Sequence, residues 1–392
     1  MSQRAIRAAV VGGGIGGLAA AVAMLQRGID VHVYEQAPAL GEVGAGVFLT
    51  PNSIRQLRRL GLAEEVERHG ARIGEGSHYF RHDGSPVAPI LTTDSQGWNA
   101  VFGMHRADLV SILAAPIPTD RLHTGHRAEG FEQDDAGARV RFDNGNEAEV
   151  DVVVAADGIH SRLQEYVVEP ARPVHSGSMA YRGLVPHDLV PSWPIDQSRL
   201  WMGEGKHFLV YPVRRGGLVN FVGFVPTDEH MRESWSAPGD PQVLRREFTG
   251  WDQRVEDLLT KVTETFRWGL YDREPLRRWT EGRLTLLGDA AHPMLPHLGQ
   301  GANQSIEDGI ALAALLSRAT VAGGRGALTE YERLRRGRTS RIQLGARANG
   351  RRYDSSYDDL EVRDAEIAAS VEFRLWLYDY DVLEHIGVAG VP

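Results

Sequence analysis

Residues 5–35 read AIRAAVVGGGIGGLAAAVAMLQRGIDVHVYE and decide the fold. A short apolar strand over residues 5–11 leads into the glycines of residues 12–17, and the spacing then predicts a helix over residues 18–27. A second strand follows and ends in an acid, Glu35. A strand, a Gly-x-Gly-x-x-Gly turn, a helix and a second strand with a terminal acid form the pattern of a dinucleotide-binding unit.

The glycines of this turn point to phosphate recognition. Gly12, Gly14 and Gly17 permit a tight turn and allow backbone N–H groups to approach a pyrophosphate at the start of a helix. Glu35 is placed to accept hydrogen bonds from ribose hydroxyls. The motif indicates a dinucleotide and leaves FAD and NAD both open.

Composition excludes several other classes of protein. A chain of 392 residues predicts two or three domains. The absence of cysteine excludes a disulfide scaffold, a Cys-ligated metal and a thiol nucleophile. A net charge of −9 argues against a nucleic-acid partner. The uncharged run at residues 8–25 resembles a signal peptide or membrane span, but its glycines and the strand that follows predict neither; we therefore expect no membrane partner and a cytoplasmic location.

Four further motifs follow in chain order. They are HRADL at residues 105–109, ADGIHS at 156–161, RLTLLGDAAHP at 283–293 and LGQGAN at 298–303. Together with the glycine turn, they resemble the group A FAD-dependent aromatic hydroxylases, which share the p-hydroxybenzoate hydroxylase fold. Within that family the chain is similar to the salicylate, 3-hydroxybenzoate 6- and 6-hydroxynicotinate 3-monooxygenases.

The resemblance implies which residues hold FAD. They are Gly12, Gly14, Gly17, Glu35, Arg106, Asp157, Asp289, Gly301, Ala302 and Asn303. In the family the aspartate at the Asp289 position binds the ribityl chain, and the helix after Gly301 faces the pyrimidine edge of the flavin. The positive end of that helix would stabilise negative charge on the reduced ring. One departure is Gln164, which stands where the family's third motif has an arginine.

The implied reaction is the hydroxylation of an activated hydroxyaromatic ring of the phenol, hydroxybenzoate or hydroxypyridine type. It uses NADH or NADPH and O2 and proceeds through a flavin C4a-hydroperoxide. In this family NAD(P)H has no Rossmann domain of its own, and the chain has no second Gly-x-Gly-x-x-Gly. The alternatives are a hydroxylase of a larger hydroxyaromatic intermediate in secondary-metabolite (antibiotic) biosynthesis and a non-hydroxylating FAD oxidoreductase. The oligomeric state is left open.

Activation of the ring needs a base with a pKa near neutrality, and histidine is the natural choice. His207 and Tyr211 lie four residues apart on a predicted strand and therefore share one face. His297 lies on the loop between Asp289 and the flavin-facing helix. Family members of the hydroxynicotinate type have residues that match all three positions. We therefore predict His207, Tyr211 and His297 as catalytic residues.

Two positions bear on the substrate and one on structure. Phe48 stands where the hydroxynicotinate type has a histidine, which predicts a less polar pocket. Arg182 is a candidate anchor for a substrate carboxylate. His292, beside a proline, is interpreted as structural.

The predicted fold class is mixed α/β, with a Rossmann-like FAD-binding domain, an interleaved mixed-sheet substrate domain and C-terminal helices. The expected bounds are 1–75, 100–175 and 275–345 for the FAD-binding domain, 76–99 and 176–274 for the substrate domain, and 346–392 for the C-terminal helical segment. The tail is expected to form one helix over residues 361–383, with its aromatic side chains on one face.

Overall fold

The structure is a computed structural model that describes residues 4–41, 45–169, 174–227, 237–354 and 357–387. Its strands are β1 (Arg7–Val11), β2 (Asp30–Tyr34), β3 (Gly46–Leu49), β4 (Ala71–Arg72), β5 (His78–Arg81), β6 (Pro86–Pro89), β7 (Phe102–His105), β8 (Leu122–His123), β9 (Ala128–Gln133), β10 (Ala138–Phe142), β11 (Glu147–Val150), β12 (Val152–Ala155), β13 (Val174–Pro186), β14 (Arg199–Gly203), β15 (Lys206–Val213), β16 (Leu218–Pro226), β17 (Ala237–Gly239), β18 (Thr265–Asp272), β19 (Thr280–Glu281) and β20 (Leu284–Leu286). Its α-helices are α1 (Ile15–Leu25), α2 (Pro51–Arg59), α3 (Ala63–His69), α4 (Arg106–Ala114), α5 (Pro241–Glu247), α6 (Gln253–Thr260), α7 (Gly301–Leu316), α8 (Gly324–Tyr353), α9 (Leu360–Ala369), α10 (Val371–Tyr378) and α11 (Val382–His385).

A six-stranded sheet forms the nucleotide-binding side of the molecule, in the order β19-β20-β12-β1-β2-β8. β20, β12, β1, β2 and β8 run parallel, and β19 pairs antiparallel with β20. Strands β1 and β12 are almost wholly apolar and buried, as expected for parallel strands covered on both faces. The carboxyl ends of the parallel strands therefore meet at one edge of the sheet.

Helix α1 begins earlier than the spacing predicted. It starts at Ile15 rather than Leu18, so the last glycines of the turn already lie in the helix. A β-carbon at Gly17 would stand 2.0 Å from the carbonyl oxygen of Gly12, and only glycine allows so close an approach. The turn and the first helical turn are thus one compact unit.

An eight-stranded sheet forms the other half, in the order β17-β18-β13-β16-β15-β14-β5-β6. Two separate stretches of the chain build it, because β5 and β6 precede the other six strands by many residues. One face buries Phe208, Phe221 and Val225 against Leu244 and Phe248, which lie in or just after α5. The opposite face, called here the inner face, carries the side chains of alternate residues and is covered by α8 and the loop before α7.

The C-terminal tail differs from the single predicted helix. It forms α9, α10 and α11, because the chain breaks after Ala369 and again after Tyr378. The Asp381 side chain accepts a hydrogen bond from the backbone N–H of Leu383 and so begins α11 as a new helix. The expected domain bound between residues 345 and 346 falls inside α8.

The architecture confirms the predicted mixed α/β fold class, while the domain bounds stay a prediction. None of the helices in the described parts of the chain is both long and apolar enough to cross a membrane.

Candidate active site

Four predicted cofactor residues lie at the carboxyl edge of the six-stranded sheet. Gly12 directly follows β1, Glu35 follows β2, Asp157 comes just after β12 and Asp289 just after β20. Since these strands are parallel neighbours, the topology brings the four residues together at one edge. Ligands of open α/β sheets bind at this edge.

The glycine turn forms a cradle that side chains would fill. Gly12 has a φ of +115°, and a β-carbon there would stand 2.2 Å from the carbonyl oxygen of Ala156. A β-carbon at Gly14 would meet no atom within 4 Å, so space opens beside the start of α1. Backbone N–H groups at a helix N-terminus bordering open space suit a pyrophosphate.

Two acids border the cradle. Glu35 accepts hydrogen bonds from the backbone N–H of Gly13 at 2.6 Å and of Ala37 at 2.8 Å. Asp157 accepts one from the N–H of Arg162 at its Oδ2. The Oδ1 of Asp157 is buried and has no hydrogen-bond partner among the residues that the structure describes, and burial raises the pKa of this carboxyl. A ligand that donates a hydrogen bond would satisfy Oδ1.

Arg106 and Asp289 share the same region. Burial lowers the pKa of Arg106, and the nearby charge of Asp289 acts in the opposite direction. Asp289 is exposed, and a β-carbon at Gly301, the first residue of α7, would lie 3.9 Å from its Oδ1. Gly301 and Ala302 are half-buried, so the start of α7 stays accessible.

Asn303 has a different environment from its predicted partners. Its side chain is fully buried, accepts a hydrogen bond from the N–H of Thr50 at 2.9 Å, and donates to the carbonyl oxygens of Phe48 and Gly299. Both polar atoms of the Asn303 side chain are therefore occupied by hydrogen bonds within the protein. Any contact with a cofactor would come from its backbone N–H.

Behind the accessible end of α7 lies a buried ionic cluster that the sequence patterns did not reveal. Its members are His292, Glu307, Asp308, Arg335 and Arg338. Burial alone would raise the pKa of Asp308, but the charges of His292 and Arg335 lower it to about 2. His292 is thus structural, as predicted from its position, although its partner is an aspartate on α7 rather than the adjacent proline.

The structure brings two of the predicted catalytic residues together on the inner face. The rings of His207 and His297 have centroids 5.1 Å apart. His207 stacks on Phe224 at 4.0 Å and is 1% exposed. Its Nδ1 lies 2.6 Å from Oδ1 of Asp354, which follows α8. The hydrogen bond of Nδ1 leaves Nε2 as the second ring nitrogen of His207, and no hydrogen bond joins Nε2 to another of the described residues.

His297 approaches from the nucleotide-binding side. It lies on a short 3-10 turn, Pro296–Leu298, just before α7. Burial, and then the neighbouring charge of His207, lower its pKa well below the usual range, so the ring is neutral. Its Nδ1 is buried and finds no acceptor or donor in the described ranges.

Tyr211 occupies the other end of the same face. Its ring centroid lies 4.1 Å from that of Phe48, and burial raises the pKa of its hydroxyl.

Arg182 lies on the inner face as well. On the neighbouring strands it aligns with Val222, and Val222 aligns with Leu209. Leu209 lies on β15 midway between His207 and Tyr211, so all these side chains are on the same face. Arg182 is 4% exposed, and burial first, then the charge of Arg106, lowers its pKa to about 10. The predicted base, the tyrosine and a buried cation thus share one surface.

The chain is similar in sequence and in fold to proteins of known activity. A family model described as "FAD binding domain" matches residues 5–343. A 3-amino-4-hydroxybenzoate 2-monooxygenase of Streptomyces platensis is 38% identical, over 96% of each chain. The 6-hydroxynicotinate 3-monooxygenase of Bordetella bronchiseptica is 34% identical, over 86% of this chain and 89% of that protein. A solved salicylate hydroxylase substrate complex is similar in fold, with a TM-score of 0.84, 29% identity and 96% coverage of each chain.

Proposed function

The chain belongs to the FAD-binding-domain family of aromatic hydroxylases, and from that membership we propose that it hydroxylates a small hydroxyaromatic acid with O2 and NADH or NADPH. The observation that supports this substrate class most directly is the shared inner face, because His207 and a buried cation, Arg182, lie on the same face of the sheet. Action in the cytoplasm stays a prediction.

The residues at the sheet edge fit FAD. The glycine cradle at the start of α1 suits its pyrophosphate, and Glu35 and the unsatisfied Oδ1 of Asp157 suit its hydroxyl donors. Asp289 and the N-terminus of α7 would hold the ribityl chain and the flavin ring. Bound and reduced FAD supplies the activation of O2 in this family.

The side chains of the inner face would activate and orient the ring. His207 would accept the hydroxyl proton of the substrate at Nε2 and make the ring electron-rich. Tyr211, which burial keeps protonated, would donate a hydrogen bond to the ionised oxygen. The neutral ring of His297 would orient the substrate without competing for the proton.

Arg182 supports the choice of an acid. A buried guanidinium that remains charged at neutral pH stabilises a carboxylate brought next to it. The relatives named for aminohydroxybenzoate, hydroxynicotinate and salicylate all act on such acids. We therefore place aminohydroxybenzoates and hydroxynicotinates first in the substrate panel.

The test is a panel assay of the FAD-loaded enzyme with NADH and with NADPH. Each hydroxyaromatic acid is paired with its uncharged amide. Product mass is scored for gain of one oxygen atom, as in simple hydroxylation, and for replacement of the carboxyl group by a hydroxyl, as in oxidative decarboxylation, while peroxide is measured in parallel. We expect oxygenated product from at least one acid and less from its amide. Peroxide alone across the panel would support a non-hydroxylating oxidoreductase, and product only from larger neutral phenols would support the secondary-metabolite alternative.

Replacement of Arg182 sharpens the assignment of the anchor. Arg182→Gln should raise KM for the acid ~10-fold or more, since a charge-assisted hydrogen bond contributes about 1.5–3 kcal/mol, and should leave KM for the amide unchanged. Arg199→Gln is the matched control, because strand pairing with Val210 places Arg199 on the opposite face of the same sheet. Equal effects on acid and amide would show that Arg182 does not bind the carboxylate.

A further inference from the structure

We propose that Asp354 is a positioning residue for His207: its carboxylate fixes the proton on Nδ1 and so presents the lone pair of Nε2 to the substrate hydroxyl. The inference rests on the proposed role of His207 as the base. It concerns a residue that no sequence motif marks and that reaches the site from α8.

Two hydrogen bonds hold the backbone of Asp354 in place. The backbone N–H of Asp354 donates to the carbonyl oxygen of Gly350 at 2.9 Å, which continues the last turn of α8. Its carbonyl oxygen accepts from the N–H of Gly205 in the turn between β14 and β15. The same turn leads directly into His207, so helix and hairpin are joined where the imidazole and carboxylate meet at 2.6 Å.

Burial differs sharply across the pair. The His207 side chain is 1% exposed, whereas that of Asp354 is 28% exposed. The carboxylate therefore borders solvent, while the histidine it contacts is enclosed and stacks on Phe224. A carboxylate beside a buried imidazole stabilises positive charge on the ring.

The other titratable and charged groups near His207 do not replace Asp354. The ring of His297 is neutral and lies 5.1 Å away, so it supplies no negative charge to His207. The ring of Tyr353 lies 5.3 Å away, and its hydroxyl accepts hydrogen bonds from Asn349 and Arg374. Of the flanking charges, Lys206 pairs with Glu247, and Arg81 pairs with Asp364.

The proton step follows from this arrangement. Asp354 accepts the Nδ1–H hydrogen bond, which leaves Nε2 as the acceptor nitrogen. The substrate O–H bond breaks and an Nε2–H bond forms, which yields a phenolate and an imidazolium beside an aspartate that stays ionised. The proton returns from Nε2 to the oxygen of the product, so the residues end the turnover in their initial state.

Asp354→Asn is the variant that tests the proposal. Asparagine has the same size, but its amide N–H would donate to Nδ1 and so favour the tautomer that carries the proton on Nε2. We expect product formation to slow by ~10²–10⁴-fold, as for loss of a correctly oriented base, with more peroxide and with partial recovery at high pH. Reduction of FAD by NAD(P)H should keep its rate, and Asp354→Glu should restore part of the coupling.

Asp358→Asn is the matched control, because it makes the same change at an exposed position four residues further along the chain. Wild-type coupling and a wild-type pH profile in Asp354→Asn would overturn the proposal and leave the hydroxylase function intact.

A second measurement separates this inference from the proposed function. In the FAD-loaded protein with ¹⁵N-labelled histidine, the resonance of His207, identified by its loss in His207→Gln, should report a proton on Nδ1. In Asp354→Asn it should shift to the Nε2–H tautomer. This reading needs no turnover, so it stands even if no compound in the panel is hydroxylated. An Nε2–H tautomer in the wild-type protein would refute the assignment.

Discussion

Two of the histidine–aspartate pairs in the described part of the chain have almost equal length but very different surroundings. His292 Nε2 lies 2.5 Å from Asp308, and His207 Nδ1 lies 2.6 Å from Asp354. The first pair is fully buried on both sides, whereas the second has a partly exposed carboxylate. A close histidine–aspartate contact therefore does not by itself indicate a function. The other groups around each pair distinguish a structural pair from one that can take part in chemistry.

Asp308 has further donors that fix it as part of the framework. Arg335 donates to its Oδ1 at 2.7 Å and also pairs with Glu307, while the N–H of Gly288 donates to Oδ2. These contacts join α7 to α8 and to the segment that carries Asp289. We interpret the His292–Asp308 pair as one that stabilises the carboxyl edge of the six-stranded sheet, where the cofactor residues lie. We interpret the His207–Asp354 pair as the one that takes part in the reaction.

The largest expected effect comes from removing the arginine that bridges both acids of the buried cluster. Arg335→Met leaves Glu307 with Arg338 and Asp308 with His292 as their remaining ionic partners, so buried negative charge is less compensated and we expect a loss of about 3–5 kcal/mol in the free energy of unfolding. Urea denaturation of the FAD-loaded protein measures it.

Arg333→Met is the control for this experiment, because Arg333 lies on the same helix but pairs with Glu330 at the surface. It should leave the urea midpoint unchanged. A similar midpoint for both variants would break the comparison, since the cluster would then carry no more stability than a surface pair.

A smaller effect is expected from pH. The pKa of Asp308 is lowered from 3.8 to about 2, so its contribution is fully present above pH 3.8 and is lost as the pH falls through 2. The shift corresponds to about 2 kcal/mol. Urea midpoints between pH 5 and pH 2 should therefore fall more for the wild type than for Asp308→Asn. Parallel curves for the two proteins would show that the pair does not hold Asp308 ionised.

The sequence predicted those parts of the molecule that local patterns encode. The glycine turn, the apolar strand of β1 and the acids that follow parallel strands are fixed by neighbours in the chain, and the strand periodicity correctly placed His207 and Tyr211 on one face. Asp354 lies 147 residues from His207, and no local spacing reveals such a contact. The breaks in the tail depend on caps and packing, which a helical periodicity does not show.

The most direct test of the account is the yield of oxygenated product in His207→Ala, measured against peroxide across a range of pH. We predict that FAD stays bound, that hydroxylation slows by ~10²–10⁴-fold with more peroxide, and that the defect eases as the pH approaches the pKa of the free substrate. Lys206→Met, which changes the adjacent residue and its pair with Glu247, should behave as the wild type. Normal coupling and a normal pH profile in His207→Ala would contradict the account and assign this histidine a structural role.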